Sequence, residues 1–260
     1  MRSAQLKPAV APVMTVKDKT MDDLLFPSIP IDNWQMMQWD RIALTGILSR
    51  LRPKCALEIG VYFGGSLALT SQYAERIIAI DIDPAVLDRF AVPANADLRI
   101  GNSVDLIPSI LDEITKAAIP LNYVLIDADH SAEGVRRDIE LVLEYKPIEP
   151  MFILIHDSGN PECRRGICAA DWNKSRYVQS VECDFVPGQV IEHSVKDGKG
   201  EVWGGLAVAY LTPTERHGAV QINQAAKTSI EWLHKLSPAS SSIFSHLRPR
   251  IKRLQAAFLK

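Results

Sequence analysis

Two acid-bearing segments, Asp127-Ala128-Asp129-His130 and His156-Asp157-Ser158, each follow a short apolar run, Val124 to Ile126 and Ile153 to Ile155. Apolar runs of that length read as buried strands, and neighbouring strands end about 5 Å apart. Asp127 and Asp157 can then face one space. Two carboxylates so close are costly to ionise unless one holds a proton or a cation lies between them. Magnesium is the natural ion for such oxygen ligands, since it keeps water or substrate in its shell. His156, next to Asp157, favours softer divalent metals.

A second segment, Leu57-Glu58-Ile59-Gly60-Val61-Tyr62-Phe63-Gly64-Gly65-Ser66, joins an apolar strand to a helix. A glycine-rich turn lets a ligand approach the backbone, and a helix start leaves N–H groups free, so an anionic or zwitterionic ligand is expected. The dinucleotide pattern G-x-G-x-x-G needs glycine where this chain has Tyr62. The spacing here is E-x-G-x-x-x-G-x-S. Farther on, Asp81 closes the run Ile77-Ile78-Ala79-Ile80-Asp81, where an acid can accept both hydrogen bonds of a ribose diol.

These residues need a scaffold. Short apolar runs alternating with amphipathic ones from Leu51 to Leu211 predict a parallel sheet wrapped by helices. Strands are expected at Cys55–Ile59, Arg76–Asp81, Asp97–Gly101, Leu121–Asp127 and Met151–His156, with helices between them. Ser66 is read as the N-cap of a helix through Tyr73, Pro84 as a first-turn residue, and Ser131 as the cap of a helix to about Tyr145. Trp34–Leu51 reads as an amphipathic helix ended by Pro53. Arg176–Phe185 and Val202–Leu211 read as an antiparallel pair closing the sheet edge, separated by a polar segment with Gly188, Gly198 and Gly200. Helices are expected at Ala219–Leu236 and Ile243–Leu259, divided by the hinge Ser237–Ser242.

With the loop, Asp81 and the strand-end acids in place, the sequence resembles the class I S-adenosylmethionine-dependent methyltransferases over about Trp34 to Leu211. The resemblance implies an α/β, Rossmann-like, doubly wound seven-stranded sheet of order 3-2-1-4-5-7-6 with the last strand antiparallel, followed here by a C-terminal helical tail. It implies that Gly60 and Gly64 line the methionine end of S-adenosyl-L-methionine, that Glu58 lies beneath the turn, and that Asp81 holds the ribose. Gly101-Asn102-Ser103-Val104-Asp105-Leu106-Ile107-Pro108 is similar to the adenine-contacting segment of catechol-type O-methyltransferases, which puts Asn102, Ser103 and Val104 around the base. Asp127 is expected both to bind the cofactor and to act in catalysis. Residues 127–135 look like the branch acting on macrolide sugars, with His130 in the place of a general base and Asp127 and Asp157 as ligands of Mg²⁺ or another divalent metal. The acceptor implied is a hydroxyl on a sugar, glycan or secondary metabolite.

Composition restricts the alternatives. A chain of 260 residues, 47% hydrophobic and 23% charged, with a formal charge of −2 and four cysteines, excludes a disulfide-built scaffold and gives no sign of a nucleic-acid partner. No apolar run is long enough to span a bilayer. The apolar stretch from Pro8 to Val16 carries two prolines and runs into Lys17-Asp18-Lys19, so no secretory signal is read and a cytoplasmic protein is expected. Residues 1–20 are expected to be disordered, 21–212 to form the methyltransferase domain and 213–260 a helical basic tail. Arg2, Lys7, Lys17 and Lys19 at one end, and Arg248, Arg250, Lys252, Arg253 and Lys260 at the other, flank an acidic body. Those basic ends suit weak docking to a membrane surface or protein, and a homo-oligomer stays open. Arg164 or Arg165 could meet an acidic substrate group or be solvated helix charges. Two other functions compete: a nicotinamide-dependent sugar dehydrogenase or epimerase, against which stand Tyr62 and the lack of any Tyr-x-x-x-Lys pair, and a non-catalytic cofactor-binding protein of the same fold.

Overall fold

The computed structural model describes residues 25, 26, 29, 34–196 and 199–236. The expected disorder of residues 1–20, the hinge Ser237–Ser242 and the basic helix Ile243–Leu259 lie outside them.

The five apolar runs form β1 (Cys55–Ile59), β2 (Arg76–Asp81), β3 (Ala96–Ile100), β4 (Leu121–Ile126) and β5 (Met151–His156), all parallel to their neighbours in this set. Every residue of β1 and β4 is buried, which explains why both read as apolar runs broken only by Glu58 and Asn122 rather than as alternating ones: the sheet is covered on both faces. β6 (Val178–Val186) and β9 (Leu206–Leu211) extend the sheet, and β9 runs antiparallel to both β5 and β6. Between them β7 (Gln189–Lys196) and β8 (Lys199–Trp203) pair as a separate hairpin. The main sheet has the order β10-β6-β9-β5-β4-β1-β2-β3. With the inserted hairpin set aside, this is the expected 3-2-1-4-5-7-6 arrangement with its antiparallel seventh strand, plus one more strand on the edge.

That extra strand, β10 (Gln221–Asn223), corrects the helix expected from Ala219. It lies parallel to β6, pairing Gln221 with Ser180, and the helix starts only at Lys227. An unpaired edge of β6 is a stronger demand on this short segment than its helix propensity. Most of the polar segment between the two β-rich runs likewise forms β7 and β8, and the second run is broken at Gly204-Gly205, both with positive φ.

Helices α1 (Gln38–Leu51) and α2 (Gly65–Ser71) pack on one face of the sheet, against Ala56, Ile77, Ala79 and Leu125. α3 (Ser103–Lys116), α4 (Ala132–Val142) and α5 (Pro161–Ala169) cover the other, against Leu57, Ile59, Val124 and Ile126. The period of two along β1 therefore sends Glu58 to the α1–α2 side. Ser131 caps α4 as expected, whereas α2 is entered through Gly64 in the left-handed region, with Ser66 inside the helix. Pro84 opens a short 3₁₀ turn, Pro84–Asp88. α6 (Lys227–Leu236) packs beside β8. Among the described residues no helix is long and apolar enough to cross a membrane.

Candidate active site

The register of the central strands sets the site. Ile59 pairs with Ile80 on one side and Ile126 on the other, and Ile126 with Ile155, so β1, β2, β4 and β5 end level with one another. Strand order reverses between β1 and β4, and open α/β sheets bind ligands in the crevice outside that point.

Gly60, the first residue past β1, has φ +90°, and its N–H donates to the Ile80 carbonyl at 2.8 Å. A Cβ there would stand 2.1 Å from the Asp127 carbonyl oxygen, so only glycine lets the two strand ends pass. Tyr62 also has positive φ, and its ring is half exposed. Asp81 closes the loop: Oδ2 accepts from the N–H of Val61 (3.0 Å) and Tyr62 (2.9 Å), and Oδ1 from that of Asp83 (2.8 Å). A carboxylate has about four lone-pair sites, so Asp81 braces the loop and still has room for a ligand hydroxyl. Arg89, which carried no sequence signal, bonds the Tyr62 carbonyl, pairs with Asp83 and lies over the rings of Tyr62 and Phe63.

Beneath the turn, Glu58 is completely buried. Its Oε1 accepts from the Ser66 hydroxyl at 2.5 Å, while Oε2 has no partner. Burial pushes its carboxyl up to about 8, the nearby Asp127 adds to this, and the Ser66 bond partly opposes it. Gly64 has φ +78° and faces the Phe90 ring. At the end of β3, Asn102 caps α3 by accepting from Val104 N–H, and Val104 is partly exposed. The Ser103 hydroxyl is directed to the buried carboxylate of Asp138 at 2.7 Å.

Beyond β4 and β5 the structure brings Asp127, His130, His156 and Asp157 together. His156 Nδ1 lies 3.1 Å from Asp127 Oδ1 and 3.5 Å from Asp157 Oδ2. His130 Nε2 lies 3.0 Å from Asp157 Oδ2 and 3.4 Å from Asp127 Oδ1, an ion-pair contact without hydrogen-bond alignment. Asp157, itself with positive φ, accepts the Gly204 N–H at 2.6 Å. Burial opposes charge on all four groups, but their mutual attraction overrides it. The two imidazoles hold both carboxylates below the ordinary range, and the carboxylates raise His130 to about 10 and His156 well above its usual value. Asp127, His156 and Asp157 each offer one atom within 4.8 Å of the others, a spacing one metal ion can fill.

Two further elements complete this end. Trp203, the last residue of β8, lies edge-on to the His130 ring, centroids 5.7 Å apart. From α1, Asp40 reaches His156 Nε2 at 3.2 Å and accepts from Gly205 N–H at 3.1 Å. Asp40 was missing from the sequence reading, though a signal existed: with Leu44 and Leu48 it forms an i, i+4 stripe on the buried face of α1. Arg164 and Arg165 are both engaged within the protein, the first with buried Asp184 at 2.6 Å and the second with Glu162. Trp34 and Met36 pack in the core, while Trp39 is exposed.

Comparison with known proteins agrees with this geometry. Residues 57–158 match the model of a methyltransferase domain family. A putative O-methyltransferase from Klebsiella pneumoniae is 17% identical, aligned over 74% of this chain and 94% of its own, with a TM-score of 0.50. The O-methyltransferase TomG from Streptomyces achromogenes, involved in tomaymycin synthesis and solved in complex with SAM, is 16% identical over 70% of this chain and 82% of its own, also with a TM-score of 0.50. At such identities the structures show a shared fold. No curated protein matches the chain.

Proposed function

We propose that this chain, whose residues 57–158 match a methyltransferase domain family, transfers the methyl group of S-adenosyl-L-methionine to a hydroxyl on a sugar, glycan or other small molecule. The observation that carries the reading is the level ending of β1, β2, β4 and β5: it sets the Gly60 turn and Asp81 beside Asp127, His130, His156 and Asp157. One side suits a ribose and a zwitterion, the other an acceptor that must lose a proton.

The residues fit the cofactor through their donor set. Asp81 has about one lone-pair site left for a ribose hydroxyl, Asn102 and Val104 stand at the end of β3, and Glu58 Oε2 is an unpartnered carboxyl oxygen under the turn that a methionine ammonium would ionise and pair with. Methyl transfer from a sulfonium is an in-line displacement, so placing acceptor oxygen, carbon and sulfur on one line does much of the work. Asp127, with its backbone against Gly60 and its carboxylate toward His130, joins the two halves.

His130, expected to exchange a proton with the acceptor, has its Nε2 buried against Asp157 and Asp127, so an acceptor must enter between the ring and these carboxylates to reach it. Between two carboxylates it is an imidazolium at neutral pH, and in that state it donates to an acceptor oxygen rather than taking its proton. Asp127, His156 and Asp157 fit a divalent ion by their mixed oxygen and nitrogen donors. When bound, such an ion supplies acidity to the acceptor hydroxyl and loosens the hold of both carboxylates on the His130 proton.

Isothermal titration should show S-adenosylhomocysteine binding. Asp81→Ala should weaken it by about 10- to 100-fold, the loss expected for charge-assisted hydrogen bonds worth about 1.5–3 kcal/mol. Mass spectrometry of a panel of hydroxylated sugars incubated with labelled cofactor then reports the acceptor. No binding of S-adenosylhomocysteine at millimolar concentration would reject the assignment.

A further inference from the structure

We propose that Asp40 is a positioning residue which fixes the tautomer of His156, so that the site takes a borderline divalent transition ion through one nitrogen and two carboxylates in preference to Mg²⁺. This rests on the reading that Asp127, His156 and Asp157 hold a cation. The argument begins with what a carboxylate can do: ionised, it only accepts. Asp40 is 1% exposed, and its Oδ1 is occupied by the Gly205 N–H. Oδ2 faces His156 Nε2 at 3.2 Å. The proton of a neutral His156 is therefore on Nε2.

That assignment leaves Nδ1 as a lone pair, and Nδ1 is the atom aimed at Asp127 Oδ1 and Asp157 Oδ2. Nδ1 thus points at two carboxylates at 3.1 and 3.5 Å, and the positive charge they call for there is either the ring's own second proton or a metal ion that takes that proton's place. A metal ion there has one imidazole nitrogen and two carboxylate oxygens as ligands, and a second carboxylate shell behind the imidazole. Ligating histidines characteristically donate their other N–H in this way, which raises their basicity and fixes the ring. Imidazole suits zinc, copper, iron or nickel, whereas Mg²⁺ keeps to oxygen and water. The outer carboxylate comes from α1, far along the chain from β5, so metal preference is set by how that helix docks.

Asp40→Asn tests this with little change in shape. The one amide oxygen is claimed by the Gly205 N–H, so the NH₂ turns to His156 Nε2 and forces the proton onto Nδ1, where it blocks ligation. Metal affinity of the full chain, stripped by a chelator, is measured with Mn²⁺, Co²⁺, Zn²⁺ and Mg²⁺ by competition with a fluorescent chelator. The native chain should bind a transition ion at least about tenfold more tightly than Mg²⁺. Asp40→Asn should lose about 10- to 100-fold of that transition-ion affinity while leaving Mg²⁺ binding and the unfolding temperature close to native. A second readout needs no variant: ring ¹⁵N correlations of the Zn²⁺-loaded native protein should show His156 protonated on Nε2 alone.

A His156 protonated on Nδ1, or on both nitrogens, at saturating Zn²⁺ would overturn the proposal, as would native transition-ion affinity in Asp40→Asn. If no metal binds but S-adenosylhomocysteine does, the ring protons neutralise the carboxylates, and this inference fails while the methyltransferase reading stands. If neither binds, both fail.

Discussion

Replacing Gly60 with alanine should abolish measurable binding of S-adenosylhomocysteine and lower the unfolding temperature by roughly 10 °C, on the scale of 2–4 °C per kcal/mol for a chain of this size. The added Cβ would lie 2.1 Å from the Asp127 carbonyl oxygen, 2.6 Å from its carbon and 2.8 Å from Ala128 Cα. All three are backbone atoms at the end of β4, so no side chain can swing away. A φ of +90° adds a conformational cost of about 1–2 kcal/mol for any residue with a Cβ. Relief requires β1 and β4 to part at the level of Ile59 and Ile126, which moves the turn braced by Asp81 and the carboxylate of Asp127 together. Binding and acceptor chemistry should therefore fail as one. Gly46→Ala is the control: it lies in α1 with nothing within 4 Å of the new Cβ, and alanine there should be neutral or stabilising by up to about 1 kcal/mol. Equal losses in the two variants would show that the close passage at Gly60 does not control the site.

The parts of this site that could be read from the sequence are those whose cause is local. β1, β2, β4 and β5 announce themselves because burial on both faces leaves them mostly apolar, and Gly60, Asp81, Asp127 and Asp157 sit where such strands stop. Ser131 and Pro84 obey rules that operate within one turn of chain. What escaped depends on distant partners. Asp40 acts on His156 across 116 positions, and only a fold that docks α1 over the ends of β5 and β9 makes it part of the site. Ser66 fits the N-cap pattern by type and place, yet the buried Glu58 claims its hydroxyl and Gly64 takes over the entry to α2. Asp138 claims Ser103 in the same way. β10 forms because β6 exposes an edge, and nothing within Gln221-Ile222-Asn223 records that demand. Buried carboxylates and open edges recruit whatever chain reaches them, and short-range pattern carries no trace of it.

Glu58→Gln should remove a pH dependence of stability that the native chain shows between about pH 4.5 and 8. The folded pKa, about 8, stands above the value of 4.5 for an unperturbed glutamate, so the folded state binds this proton more tightly than the unfolded one. Below pH 4.5 both states are protonated and Glu58 imposes no ionisation cost. As pH rises, the unfolded chain releases its proton first, and stability falls until the folded carboxyl ionises too near pH 8. At 1.36 kcal/mol per pH unit, the cost accumulated by pH 7 is about 3 kcal/mol as an upper bound. Glutamine keeps an oxygen for the Ser66 hydroxyl and has no charge to bury, but its NH₂ inherits the site of Oε2, which has no partner. That orphan costs about 1–3 kcal/mol at every pH. The variant should thus be the less stable protein at pH 4.5 and equal or exceed the native chain by pH 8, with the two stability curves crossing between. Urea unfolding at half-unit pH steps measures this directly, and parallel curves would mean that Glu58 is ionised throughout, with a cation held against Oε2. Repeating the series with saturating S-adenosylhomocysteine links the effect to function: an ammonium near Oε2 lowers the carboxyl pKa, so the ligand should flatten the native curve and bind the native chain more tightly as pH rises toward 8, a gain that Glu58→Gln lacks.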